Sequence, residues 1–138
     1  PFHACYVSPM HRAIETATTI IQDRDIPLFI NNNLKEFNFG SIEGDSEEKL
    51  KSIYPVMQGK KVDGFDGENM QDFTKRILKG LDEIHKKNKD GNILIVTHSG
   101  VITALLNTIS NLPEKDIVYI KNCSVTQLEW NYGWKLCN

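Results

Sequence analysis

The clearest alternation of hydrophobic and polar positions lies between Met70 and Lys89. Met70, Phe73, Ile77, Leu81 and Ile84 recur at intervals of three and four residues, with polar side chains between them. That spacing predicts an amphipathic helix lying against a sheet, entered from Gly67-Glu68-Asn69. Its basic last turn, with His85, Lys86, Lys87 and Lys89, suits the negative end of the helix dipole. A different pattern follows. Ile93 to Val96 is a continuous aliphatic run opened by Asp90-Gly91, which predicts a central strand buried on both faces. Val101, Ile102, Ala104, Leu105, Leu106 and Ile109 then predict a helix packed on that strand.

Upstream, Ala4-Cys5-Tyr6-Val7 is strand-like, and Met10, Ala13, Ile14, Ala17, Ile20 and Ile21 follow helical spacing as far as Gln22. Ser8 is the expected N-cap of that helix and Pro9 its first residue. Pro27 blocks continuation, and Leu28-Phe29-Ile30 is expected as a short edge strand before the turn Asn31-Asn32-Asn33. Asp45 to Ile53 predicts a short polar helix capped by Ser46. Tyr54 to Asp66, with Pro55, Gly59 and Gly64, reads as a loop long enough to wall or cover a site. Beyond the break at Asn111-Leu112-Pro113, strands are expected at Ile117 to Ile120, Ser124 to Trp130 and Trp134 to Cys137. Asn131-Tyr132-Gly133 is the hairpin turn between the last two. No repeat, low-complexity stretch or linker interrupts this order.

Composition narrows the class. The chain has 138 residues, the size of one domain, with 40% hydrophobic and 25% charged residues. Sixteen basic against eighteen acidic residues leave a net charge of −2, which offers neither a basic patch for nucleic acid nor a cationic face for a membrane. No apolar run approaches the ~20 residues of a membrane span. Cys5, Cys123 and Cys137 are odd in number and lack metal-type spacing, so reduced thiols in a cytoplasm are expected. The chain opens on Pro1-Phe2-His3-Ala4-Cys5 with neither an initiator methionine nor a leader pattern, and is expected to begin partway into a fold.

Candidate chemistry gathers at His98. It ends the aliphatic strand where a helix begins, the place where open α/β sheets bind ligands. Ser99 and Gly100 would present free backbone N–H groups there, and the helix dipole favours an anion. A histidine beside such a site suggests phosphate; the other reading is a histidine that caps the turn. Arg12 falls in the first turn of its helix, where a cation opposes the dipole. A bound anion would explain it, and so would a surface pairing with Glu15 or Thr16. Glu36 and Glu43 flank Gly40 in the segment from Leu34 to Gly44, and each taken alone reads first as a solvated loop acid.

Five segments together carry a family resemblance. Ser8-Pro9-Met10-His11-Arg12-Ala13-Ile14-Glu15-Thr16-Ala17 resembles the "SSPLxRAxQTA" segment of the histidine phosphatase superfamily. Leu34-Lys35-Glu36 through Gly40 and Glu43-Gly44 is similar to its "LxExxxGxxEG" segment. Gly67-Glu68-Asn69-Met70 through Phe73 and Arg76 is similar to "GESxxDxxxR", with Asn69 and Phe73 departing from the usual residues. Val96-Thr97-His98-Ser99-Gly100 resembles its second-histidine motif, and Asn122-Cys123-Ser124-Val125 its entry to the last strands. They occur in the family's order over nearly the whole chain. The family's opening Arg-His-Gly motif, which carries the nucleophilic histidine, has no counterpart: His3 precedes the first strand, His11 occupies a variable position, and His85 lies on an exposed part of a helix.

The resemblance implies a three-layer α/β/α fold of the phosphoglycerate mutase-like type, with a mainly parallel central sheet. Residues 1–138 would form a single, N-terminally incomplete domain lacking the first strand–helix unit, roughly 30 residues or more. It further implies a phosphomonoester hydrolase acting through phosphohistidine, with the nucleophile and a second arginine outside these residues. Arg12, His98 and Ser99 would hold the phosphoryl group, with His98 stabilising the transition state. Glu36 would protonate the leaving alcohol and then activate water. Neither a metal nor a cofactor is implied, and the 138 residues alone are expected to be inactive. The short span from Asp45 to Asp66 resembles the small phosphatase branch, which acts on small phosphorylated metabolites and leaves a homo-oligomer open. The alternatives are a mutase-type phosphotransferase and a non-catalytic phosphate- or protein-binding relative.

Overall fold

The computed structural model of the chain describes residues 1–110 and 120–137. The expected break at Asn111-Leu112-Pro113 and most of the expected strand at Ile117 to Ile120 lie outside the described residues. The sheet is organised around β1 (Phe2–Val7). It pairs in parallel with β2 (Leu28–Ile30) through Cys5 opposite Leu28 and Val7 opposite Ile30. On its other side it pairs in parallel with β3 (Asn92–Val96), with Ala4 opposite Ile93 and Val7 opposite Val96. β1 begins earlier than Ala4, so His3 lies within the strand. It sits at an irregularity between Phe2 and Ala4, where its Nδ1 accepts the Asn92 N–H at 3.2 Å.

Successive side chains of a strand point to opposite faces, and β1 uses both. Cys5 and Val7 pack with Val96 against Ala13, Ala17 and Ile21 of α1 (His11–Ile21). Ala4 and Tyr6 face the other way, onto Leu34, Ile84, Ile93 and Ile95. Ile84 belongs to α4 (Met70–Lys87), so helices cover both faces and the layered α/β expectation holds. Asn69, where the family pattern has another residue, caps α4: its side chain accepts the Asp72 N–H at 2.9 Å. The stripe Phe73, Ile77 and Leu81 is buried with Phe37, Ile53 and Val56, and with Val101, Ala104 and Leu105 of α5 (Ser99–Ser110).

Several expectations need correction. α1 starts at His11, not Pro9, and no side chain caps it. Ser8 instead continues the ladder, its N–H donating to Val96 O at 3.1 Å, and its side chain is drawn into the interior. Among the described residues the aliphatic strand lies at an edge of the sheet and not at its centre. The described order is β2-β1-β3, and Ile93, Leu94 and Ile95 are only half-buried. Among the described residues no strand pairs along the outer edge of β3.

A short helix α2 (Glu47–Lys51) is capped by Ser46 as expected. The region read as loop contains one turn of helix, α3 (Tyr54–Met57). Pro55 presets its backbone, and Val56 reaches the core. The hairpin of β4 (Leu128–Trp130) and β5 (Trp134–Leu136) forms a separate antiparallel sheet. His85 is not free on its helix: its ring lies 4.4 Å from that of Trp130 and 5.8 Å from that of Trp134. No helix among the described residues is long and apolar enough to cross a membrane.

Candidate active site

Three segments meet at the carboxyl ends of β1 and β3. Chain leaving β1 supplies Ser8, chain leaving β3 supplies His98, and the stretch after the 3₁₀ turn Asn32–Leu34 supplies Glu36. Thr97 Oγ1 donates to Leu34 O at 2.8 Å and so ties the acid-bearing segment to the end of β3. This tie is what brings together residues more than sixty positions apart.

His98 is buried, at 7% exposure. Its Nε2 lies 2.8 Å from Ser8 Oγ, a hydrogen bond whose direction follows the ring's tautomer. Ser8, with no exposure at all, also accepts the Met10 N–H at 3.3 Å. The hydroxyl therefore fixes the ring from one side while closing the turn that launches α1. Burial is the largest influence on His98 and pushes its pKa down. Glu36 pulls the other way, and the Arg12 and Arg76 guanidinium groups push it further down. These influences together favour the neutral ring, which feels both the candidate acid and the candidate phosphate clamp. Arg12 stands in the first turn of α1 as read from the sequence; it is exposed, and its charge reaches His98. The ion pair expected as an alternative does not form: Glu15 pairs with His11 at 3.2 Å, and Thr16 takes only the Arg12 backbone carbonyl.

Glu36 is half-buried and directed at the start of α5. Its Oε2 accepts the Gly100 N–H at 3.1 Å and its Oε1 the Phe37 N–H at 2.9 Å. The Gly100 N–H, expected to be free for an anion, is therefore held by the protein's own carboxylate, which suits the positive end of the helix dipole. Glycine at 100 leaves room for this approach, since a Cβ there would meet Glu36 Oε1 and the carboxylate would have to move. Ser99 heads α5 and stays exposed. Glu43 is elsewhere: its Oε2 accepts the Phe39 N–H at 3.2 Å and closes a surface turn, so the loop-acid reading holds for it. Sequence reasoning missed Ser8, for which a buried polar residue leaves no periodic signal, and gave no role to Arg76.

Chemically, the arrangement offers a cation, a buried imidazole and a carboxylate with backbone-fixed orientation. Among the described residues no group of three His, Cys, Asp or Glu side chains has the spacing of a metal site.

Comparison with known proteins points the same way. The family model described as histidine phosphatase superfamily (branch 1) matches residues 1–137. The chain is 30% identical over 129 residues to an uncharacterized phosphatase, PhoE, of Bacillus subtilis, covering 89% of this chain and 62% of that protein. It is 31% identical over 110 residues to a metal-independent phosphoserine phosphatase of Arabidopsis thaliana, covering 74% of this chain and 46% of that one. The chain therefore spans less than two-thirds of these relatives' length. Among solved structures, YhfR of Bacillus stearothermophilus superposes with a TM-score of 0.84 at 25% identity, over 98% of this chain and 72% of the other.

Proposed function

Since the chain belongs to the histidine phosphatase superfamily, we propose that it forms the phosphate-binding and proton-transfer part of a phosphomonoester hydrolase with a phosphohistidine intermediate. What supports this reading is that Glu36 accepts the Gly100 N–H two residues beyond the buried His98, and that the charges of Glu36 and Arg12 both act on that ring. The nucleophile, in this proposal, lies outside these 138 residues. Of the four histidines, His3 accepts the Asn92 N–H, His11 pairs with Glu15, and His85 packs against the rings of Trp130 and Trp134. The half-buried aliphatic run of β3 and its outer edge, unpaired among the described residues, support a further strand beside it. With that strand–helix unit added, the chain would make up one domain.

The reaction runs in two steps. The nucleophilic nitrogen attacks phosphorus, the bond from phosphorus to the alcohol oxygen breaks, and Glu36 passes its proton to that oxygen. Water then attacks the phosphohistidine, Glu36 accepts the water's proton, and the P–N bond breaks to release phosphate. Arg12 clamps the equatorial oxygens with its forked donors. His98 donates a hydrogen bond to them, and the arriving dianion favours its charged form. Ser99 adds a donor at the head of α5. The Arabidopsis relative's description as metal-independent supports a reaction without metal here. Its description as a phosphoserine phosphatase supports a small phosphorylated metabolite as substrate here. Free thiols at Cys5, Cys123 and Cys137 support a cytoplasmic location, which cell fractionation checks.

The test is phosphate release from one alkyl and one aryl phosphomonoester by the protein that includes the nucleophile segment, with and without a chelator. His98→Ala and Arg12→Ala are each expected to lose about 100- to 1,000-fold in turnover. Glu36→Gln should slow the alkyl ester far more than the aryl ester, whose leaving oxygen needs little help. The 138 residues alone should form no phosphohistidine. Activity abolished by the chelator would overturn the mechanism.

A further inference from the structure

Arg76 lies on α4 with its guanidinium carbon 4.7 Å from the centre of the Phe73 ring. An arginine has five N–H donors, and every one is taken. Nε donates to Glu68 Oε1 at 2.6 Å and Nη2 to Glu68 Oε2 at 2.9 Å, a forked ion pair. The other three go to main-chain carbonyls: Nη1 to Asn33 O at 2.9 Å and to Lys35 O at 2.8 Å, and Nη2 to Glu36 O at 2.9 Å. Glu68 continues the same grip. Its Oε2 accepts the Asn38 N–H at 3.3 Å, and its own N–H donates to Asn38 O at 2.8 Å. Both side chains are largely buried, at 21% and 14% exposure.

A buried arginine that satisfies loop carbonyls is common, and that alone would make this pair structural. The distribution of its bonds says more. All the main-chain partners fall between Asn33 and Asn38, on both sides of Glu36. That stretch has no sheet ladder of its own, since it lies between the turn Asn32–Leu34 and the turn Gly40–Ile42. Beside the clamp, Thr97 on Leu34 and the Gly100 amide on the Glu36 carboxylate hydrogen-bond this stretch to the chain at the end of β3, while Leu34 and Phe37 anchor it by burial. Arg76 is also near enough to act on the charge of His98.

We propose that Arg76 and Glu68 are positioning residues that fix the main chain around Glu36, so that its carboxylate points at the leaving oxygen. This rests on the proton-transfer role given to Glu36 above. Lysine at position 76 keeps the charge but offers three donors from one atom, and it cannot span the carboxylate and three separate carbonyls.

The experiment uses the protein with its nucleophile segment and compares Arg76→Lys, Glu68→Gln, Glu36→Gln and the Arg76→Lys/Glu36→Gln double variant. Turnover is read on an alkyl and an aryl phosphomonoester, and the Gly100 amide resonance is read by NMR. Arg76→Lys is expected to cost about 10- to 100-fold in kcat on the alkyl ester with little change in KM, and only a few-fold on the aryl ester. The double variant should be no slower on the alkyl ester than Glu36→Gln alone. The Gly100 amide should move toward its position in Glu36→Gln. Equal losses on both esters with additive effects in the double variant would overturn the proposal, because they mark general damage to the fold. An unmoved Gly100 amide would overturn it too. If Arg76→Lys does not fold, Glu68→Gln carries the same comparisons. A different failure is recognisable by itself: if Glu36→Gln slows both esters equally, Glu36 is not the acid, and the reading beneath this proposal falls first.

Discussion

Replacing Gly100 by alanine sets two effects of known size against each other. In the first turn of a helix, Gly→Ala should stabilise by up to about 1 kcal/mol through backbone entropy. Against that, the new Cβ would lie 3.0 Å from Glu36 Cδ and 3.2 Å from Oε2, and in collision with Oε1. Something must shift. The Glu36 main chain is pinned by the Arg76 bond to its carbonyl, so the carboxylate has to swing away from the Gly100 N–H. A hydrogen bond to a charged acceptor contributes about 1.5–3 kcal/mol, and half-exposure of Glu36 favours the lower part of that range. The loss therefore outweighs the gain, and Gly100→Ala should destabilise the fold by about 0.5–2 kcal/mol. Denaturant titration by far-UV circular dichroism measures this. In the protein with its nucleophile segment, alkyl-ester turnover should also fall by about 10- to 100-fold, since a misplacement of about 1 Å costs on that order. A Gly100→Ala variant more stable than the parent, with unchanged alkyl turnover, would refute the contact between Glu36 and Gly100.

Acid sensitivity is expected from His98. Its folded pKa is depressed, so the unfolded chain binds more protons just below the ordinary histidine value of about 6.5. Its contribution to stability is full above that value and is lost as pH falls through the folded pKa. His98→Gln should flatten the fall in stability between pH 7 and the depressed pKa; denaturant midpoints that decline equally in both proteins would contradict this. Phe73 is 1% exposed and meets Phe37 edge-to-face at 5.1 Å. Phe73→Ala should cost about 3–5 kcal/mol, and a thermal midpoint lowered by less than a degree would remove it from the core.

The sequence carried the helices well because their signal is local. The stripe from Phe73 to Ile84 is periodic, and Asn69 caps its helix whichever residue the family pattern has there. His98 was marked by its place between strand and helix and Arg12 by a cation set against a helix dipole, but their roles and that of Glu36 came only from the family motifs, since one arginine, one loop acid and one histidine have no period. Ser8 was read for its place before a helix. Its actual role, a buried hydroxyl against His98, depends on Val96 arriving beside it.

Local pattern, then, determined the long helices and the strands β1 to β3, which faces of α1 and α4 are apolar, and that His98 lies where a strand gives way to a helix. These are properties of neighbouring residues, set by side-chain period and capping chemistry. Local pattern missed the single turn α3 and drew β4 too long. Tertiary structure alone decided that β1 and not β3 lies at the centre of the described sheet, because strand order depends on pairing between segments some ninety residues apart. It alone decided that the Gly100 N–H is taken by Glu36, and that five donors of Arg76 converge around that acid. Those contacts form only when the ends of separate strands and the flank of α4 are packed into one place, and no spacing along the chain encodes the distance between them.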